Sequence, residues 1–82
     1  MGLVEVEILL CVPEGEELTD ERIEALTGLG FSDDCLMQRR AGRVAIVFLT
    51  PAATWEAEAE ARAEEILEEM SDADLVDISL TS

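Results

Sequence analysis

Cys35-Leu-Met-Gln-Arg39-Arg40-Ala41-Gly42-Arg43-Val44-Ala45-Ile46-Val47-Phe48-Leu49 decides how this chain folds. Val44, Ile46 and Phe48 alternate with Ala45, Val47 and Leu49, a period of two that places successive side chains on opposite faces of a strand. The preceding 35–39 segment is extended as well, and Ala41-Gly42 breaks the chain between them, so the two strands form a β-hairpin. Thr50-Pro51 then stops the pairing, because proline has no N–H to give to a ladder.

Downstream, Thr54 is placed to cap a long helix over 55–70. Trp55, Ala59, Ala63, Ile66, Leu67 and Met70 fall on one stripe at helical spacing and predict its core face. At the first turn, Trp55 reads as a lid on the core rather than a ligand platform. Residues 71–74 turn the chain into a last strand over 75–80, with Val76, Ile78 and Leu80 inward. Upstream, the 3–12 segment alternates Val4, Val6, Ile8, Leu10 and Val12 with Glu5, Glu7, Leu9 and Cys11, again strand periodicity. Pro13 and Gly15 close it. Thr19 caps a short helix over 20–27, with Asp20 and Glu21 at its positive end. Leu18 and Ile23 are spaced for a hydrophobic staple, and Gly28 and Gly30 offer the left-handed backbone that ends the helix.

The order βαββαβ predicts an α+β fold, a ferredoxin-like plait: a four-stranded antiparallel sheet of order 4-1-3-2 with both helices on one face. A dimeric variant with sheets packed face to face fits the same pattern. The 82 residues (1–82) allow a single domain, near the low end at which one core sustains folding. Its 49% apolar content, in periodic runs, separates the chain from intrinsic disorder. No apolar run approaches the roughly 20 residues of a membrane helix. The N-terminal Met-Gly-Leu-Val-Glu lacks the basic and apolar regions of a signal peptide, so a cytoplasmic setting with reduced Cys11 and Cys35 is expected.

The middle of the chain, Phe31-Ser-Asp-Asp-Cys35 through Arg40-Ala-Gly-Arg-Val-Ala-Ile-Val-Phe48 to Thr50-Pro-Ala-Ala-Thr54, resembles a group of small, largely uncharacterised bacterial plait domains. These carry an Asp-Asp before strand two, a Gly-Arg hairpin and an Ala-rich entry to the second helix. The resemblance implies a fold and no functional residue. In size, acidity and lack of catalytic groups the chain also looks like small phage-encoded anti-restriction and anti-CRISPR inhibitors that imitate DNA, a likeness of character without a shared motif.

Twenty Asp and Glu stand against five basic residues, all arginine, for a formal charge of -15. Such a field repels nucleic acid and anionic membrane and attracts basic surfaces. The expected partner is a basic nucleic-acid-binding host protein, with no direct binding of nucleic acid. On the long helix, Glu56, Glu60, Glu64 and Glu68 form one row and Glu58, Glu65 and Glu69 another, with Arg62 as the counter-ion between them. Residues four apart lie about 6 Å apart along a helix, comparable to the spacing of phosphates on a DNA strand, so the rows can imitate a phosphate array. Adaptation of the whole surface to high salt is the competing explanation. On the open sheet face, Glu5, Glu7 and Asp77 make a second acidic patch, in which Arg43 is expected to neutralise Glu5. Arg39 and Arg40 are expected to balance Asp33 and Asp34. Leu9, Cys11, Val47 and Leu49 on the same face form an apolar patch of the kind that marks an interface, here a homodimer.

Enzymatic chemistry is disfavoured. Without His, Lys or Tyr, a general base would have to be a carboxylate, and neither Cys has a His to activate it. There is no Gly-rich phosphate loop and no Cys/His metal motif, and Asp72-Ala-Asp74 lacks the Gly turn and terminal Glu of a calcium loop. No cofactor is expected. Two functions follow as expectations: a non-enzymatic acidic inhibitor that occupies a basic nucleic-acid-binding surface by DNA mimicry, of the anti-CRISPR or anti-restriction type, or a structural or regulatory plait that oligomerises through its sheet, its acidity serving solubility or salt tolerance.

Overall fold

A computed structural model describes residues 2–81; Met1 and Ser82 lie outside the described residues. The elements follow as β1 (Leu3–Cys11), α1 (Asp20–Gly28), β2 (Leu36–Arg40), β3 (Arg43–Pro51), α2 (Trp55–Glu69) and β4 (Asp74–Leu80). Single 3₁₀ turns at Asp33–Cys35 and Ala52–Thr54 lead into β2 and α2. The fold is α+β: an open four-stranded antiparallel sheet in the order β2-β3-β1-β4, with two helices, an arrangement compatible with a plait.

The alternation of β1 sets the layers. Val6, Ile8 and Leu10 are fully buried, and in register they oppose Phe48, Ile46 and Val44 of β3. One hydrophobic cluster joins Ile8, Leu10, Val44 and Ile46 to Leu26 of α1 and to Ala63 and Ile66 of α2. Both helices therefore pack on the same sheet face. The small Ala59 and Ala63 let α2 lie close to the strands, and the fully buried Ile66 drives its docking. Burial of such a side chain stabilises by about 1.5–3 kcal/mol.

The ends of α1 are built from local chemistry. The Thr19 hydroxyl accepts from the Arg22 N–H at 3.2 Å. At the other end, Gly30 (φ 101°) donates to the Thr27 carbonyl and the Phe31 N–H reaches the Leu26 carbonyl, a Schellman arrangement that satisfies two orphan carbonyls. Gly28 is not left-handed; Gly30 alone takes that role. Thr54, by contrast, makes no side-chain cap to α2.

Two irregularities redirect side chains. Arg39 is an extra residue between the Gln38–Val44 and Arg40–Arg43 pairs, and Val76 is an extra residue between Asp77 and Leu75, which oppose Leu9 and Leu10. A bulge of this kind shifts the face on which later residues emerge. It corrects the expectation that Val76 points inward: Val76 is 45% exposed, and Leu75 takes the place opposite buried Leu10. Leu80, opposite Val6 at the end of the edge strand, is also exposed. No helix among the described residues is long and apolar enough to cross a membrane.

Candidate functional site

Alternating Glu and Ala make α2 a strong helix on propensity alone, and Glu56 and Glu58 in its first turn complement the dipole. Ala59, Ala63, Ile66 and Met70 face the core, and Trp55 and Leu67 are half-buried at its border. Glu56, Glu58, Glu60, Glu64, Glu65, Glu68 and Glu69 are all exposed. At about 100° per residue, a row at i, i+4 drifts by about 40° at each step. The row that begins with Glu56 near the core border therefore winds outward to Glu68 on the outermost side. Glu58, Glu65 and Glu69 stay together on the opposite flank. The two rows straddle the start of the helix, about its 10 Å thickness apart at Glu58 and Glu60, and converge toward its end, where Glu65 and Glu68 are about 60° apart.

Arg62 belongs to the second flank only. Its guanidinium meets the Glu65 carboxylate at 3.2 Å and lies 5.9 Å from the centre of the Phe31 ring. Phe31 in turn packs edge-on against Phe48, so the cation is held against the core. Among the described residues no ion pair reaches Glu56, Glu60, Glu64 or Glu68. The last turn of α2 contains no basic residue, and Glu68 and Glu69 lie there against the negative end of the dipole.

The sheet face turned away from the helices carries Glu5, Glu7, Leu9 and Cys11 of β1, opposite Leu49, Val47, Ala45 and Arg43 of β3. Asp77 stands opposite Leu9 on the other side, diagonal to Glu7. Glu7 is paired with Arg39, and Glu5 accepts a hydrogen bond from the Thr81 hydroxyl. The expected partners differ from these. Arg43 lies opposite Cys11 and not Glu5, donating to the Cys11 sulfur at 3.0 Å and to the Gly42 carbonyl at 3.2 Å. Arg39 reaches Glu7 and not Asp33 or Asp34, because the bulge turns it across β3. Leu9, Cys11 and Val47 are half-buried, whereas Leu49 is 63% exposed. Leu49, Val47 and Met37 line a groove of about 420 Å³ edged by Glu5 and Arg39. Both cysteines are free thiols.

Two charged groups that the sequence reading passed over are bound into the structure. Glu17 is buried, and its carboxylate accepts from the N–H groups of Gly42 (2.6 Å) and Gly15 (3.2 Å). These bonds, the Gly42 one foremost, hold its pKa below the ordinary value. Gly42 has φ 76° and a Cβ there would stand 3.1 Å from the Val12 carbonyl, so only glycine suits this turn. Buried Arg22 donates from Nε to the Glu16 carbonyl and holds Asp72 in a two-pronged pair at 3.0 and 3.2 Å. The hydrogen-bonded guanidinium keeps the Asp72 carboxyl below its usual range. The pair spans a groove of about 600 Å³ between the start of α1 and the end of α2. A lone Arg four residues before the buried Leu26 was the available signal, since it falls on the core side of α1. No group of three or more metal-ligating side chains occurs among the described residues. No family model, no curated protein and no solved structure matches the chain.

Proposed function

We propose that this protein is a ferredoxin-like plait that acts as a non-enzymatic inhibitor, laying α2 into a basic nucleic-acid-binding surface of a host protein in place of nucleic acid, in the manner of an anti-CRISPR or anti-restriction factor. The fold assignment is supported by the βαββαβ order and the β2-β3-β1-β4 sheet. The functional reading is carried by one observation: the row Glu56, Glu60, Glu64 and Glu68 is exposed and without a counter-ion, and it continues into the last turn, where the helix dipole opposes it. Like charges four apart destabilise a helix by roughly 0.2–0.5 kcal/mol per pair, so the row serves something other than the stability of α2. Carboxylates on both flanks of a helix about 10 Å across present two lines of negative charge, as the two backbones of a duplex do. A groove lined with Arg and Lys that accepts phosphates accepts these.

The test is capture from lysate of the source cell on the immobilised protein. A basic nucleic-acid-binding protein or complex should be retained, released by rising salt and by competing duplex DNA, and lost with Glu60→Lys/Glu64→Lys/Glu68→Lys while the circular dichroism of the domain is unchanged. Undiminished capture by the triple variant at physiological salt overturns the reading.

A further inference from the structure

The open sheet face distributes its charges unevenly. Arg40 and Arg43 oppose one another directly at the mouth of the β2–β3 hairpin, a like-charge juxtaposition that costs stability. In a chain with twenty acids, neither has a carboxylate partner among the described residues. At the far edge of the same face, Asp74 stands opposite Cys11 and Asp77 opposite Leu9, both exposed and also without an ion pair. Arg40 on one edge strand and Asp74 and Asp77 on the other are thus left without ion pairs, and Arg43 beside Arg40 donates only to the Cys11 sulfur and the Gly42 carbonyl.

Their heights along the strands coincide. The pairing Arg40–Arg43–Cys11–Asp74 forms one row across all four strands, and Met37–Ala45–Leu9–Asp77 forms another. We infer that this face binds a second copy of the chain, sheet against sheet, about a twofold axis that runs parallel to the strands. Such an axis preserves height and reverses the strand order, so β2 of one subunit covers β4 of the other. Arg40 of each subunit then meets Asp74 of its partner, twice in the dimer, while at the centre Leu9 of each subunit lies over Ala45 of the other and, at the edges, Met37 lies over Asp77. An axis across the strands would instead keep β2 over β2 and β4 over β4 with heights reversed, leaving Arg40 out of reach of Asp74.

Packed sheets lie about 10 Å apart, a gap that an Arg and an Asp aimed at each other span. The usual offset of about 30° between packed sheets moves the edges by only one to two residues. At about 4.8 Å per strand and 3.3 Å per residue, strands of 5, 9, 9 and 7 residues cover on the order of 500 Å² per subunit, about 1,000 Å² in total, the range of weak and transient interfaces. The geometry also puts both α2 helices on the outside of the dimer. Their repulsion there is damped over a Debye length of about 8 Å at physiological salt. The inference is independent of the proposed inhibitor activity, since α2 stays exposed in the dimer.

Charge exchange tests it on the full chain. Sedimentation at about 100 µM should give the wild type twice the 9.0 kDa monomer mass. Arg40→Asp and Asp74→Arg should each weaken the dimer at least about tenfold, the loss expected for close charge pairs, and the double variant should recover most of it. Arg40→Asp leaves a favourable pair with Arg43 within the subunit, so loss of the dimer is not loss of the fold. A wild type that stays monomeric overturns the inference, as does a dimer that neither single exchange weakens or that the double exchange does not restore.

Discussion

Glu17 and Glu64 are the same residue under opposite conditions. The Glu17 carboxylate is buried and takes two backbone N–H groups that join the β1–α1 loop to the β2–β3 turn. Glu64 stands in solvent between Glu60 and Glu68, with no ion pair. Glu17, Arg22 and Asp72 are each satisfied by partners within the fold. The outer side of α2 carries many charges and pairs one of its acids, Glu65, with Arg62. Where charge builds the fold, partners come from within the chain; where they are missing, the proposed function supplies them from a surface outside it. Loss of a charge should therefore destabilise the first region and relieve the second.

The largest effect is expected at Arg22. Arg22→Ala removes the Asp72 pair, the bond to the Glu16 carbonyl and the packing against Met70, and should cost about 3 kcal/mol in urea unfolding. Arg22→Met keeps the packing and should lose less. A loss below about 1 kcal/mol for Arg22→Ala would put the pair in the class of surface ion pairs and break the contrast. Glu17 comes next: Glu17→Ala strands the buried Gly42 N–H and should lower the melting temperature by less than Arg22→Ala does.

Acid sharpens the contrast. Glu17 has a folded pKa below its ordinary value of 4.5, so the native state binds fewer protons than the unfolded chain wherever the two differ. Its contribution is complete above the unfolded value and is lost as pH falls through the folded one. Glu17→Gln keeps an acceptor oxygen and removes the charge. The difference in melting temperature between wild type and Glu17→Gln should be constant from neutral pH down to about 5.5 and shrink below it. A difference that persists unchanged at pH 2 would show that the charge of Glu17 contributes nothing.

Much of the scaffold was legible because it depends on local periodicity. Ala59, Ala63, Ile66 and Met70 are buried as their spacing requires, and the alternation of Val44, Ile46 and Phe48 sets the layer they occupy. What escaped depends on pairing between distant segments. The bulges at Arg39 and Val76 each insert one residue against a partner strand, and a slip of one exchanges faces. That is why Arg39 meets Glu7 and Val76 meets solvent; Arg43 meets Cys11 because the antiparallel register sets the start of β3 against the end of β1, away from Glu5. Arg22 and Asp72 lie fifty residues apart in sequence, and nothing local marks them as partners. On α2 the exposure of every acid and their division into two rows followed from helical spacing, whereas the pairing of Arg62 with Glu65 alone depends on its contact with the distant Phe31.

The smallest effect is expected on α2, with the opposite sign. Replacing Glu60, Glu64 and Glu68 together by Gln removes three i, i+4 repulsions (Glu56–Glu60, Glu60–Glu64 and Glu64–Glu68), each worth a few tenths of a kcal/mol, and takes one charge from the negative end of the dipole. Gln is nearly as good a helix former as Glu, so the variant should be more stable than the wild type, by up to about 1 kcal/mol at low ionic strength. The gain should shrink in high salt, because screening relieves the wild type of the same repulsion. A triple variant less stable than the wild type would mean that these carboxylates have partners within the fold, and the row would then belong with Glu17 rather than against it. A gain that vanishes with salt, alongside lost capture of a basic partner, assigns the cost of the row to binding.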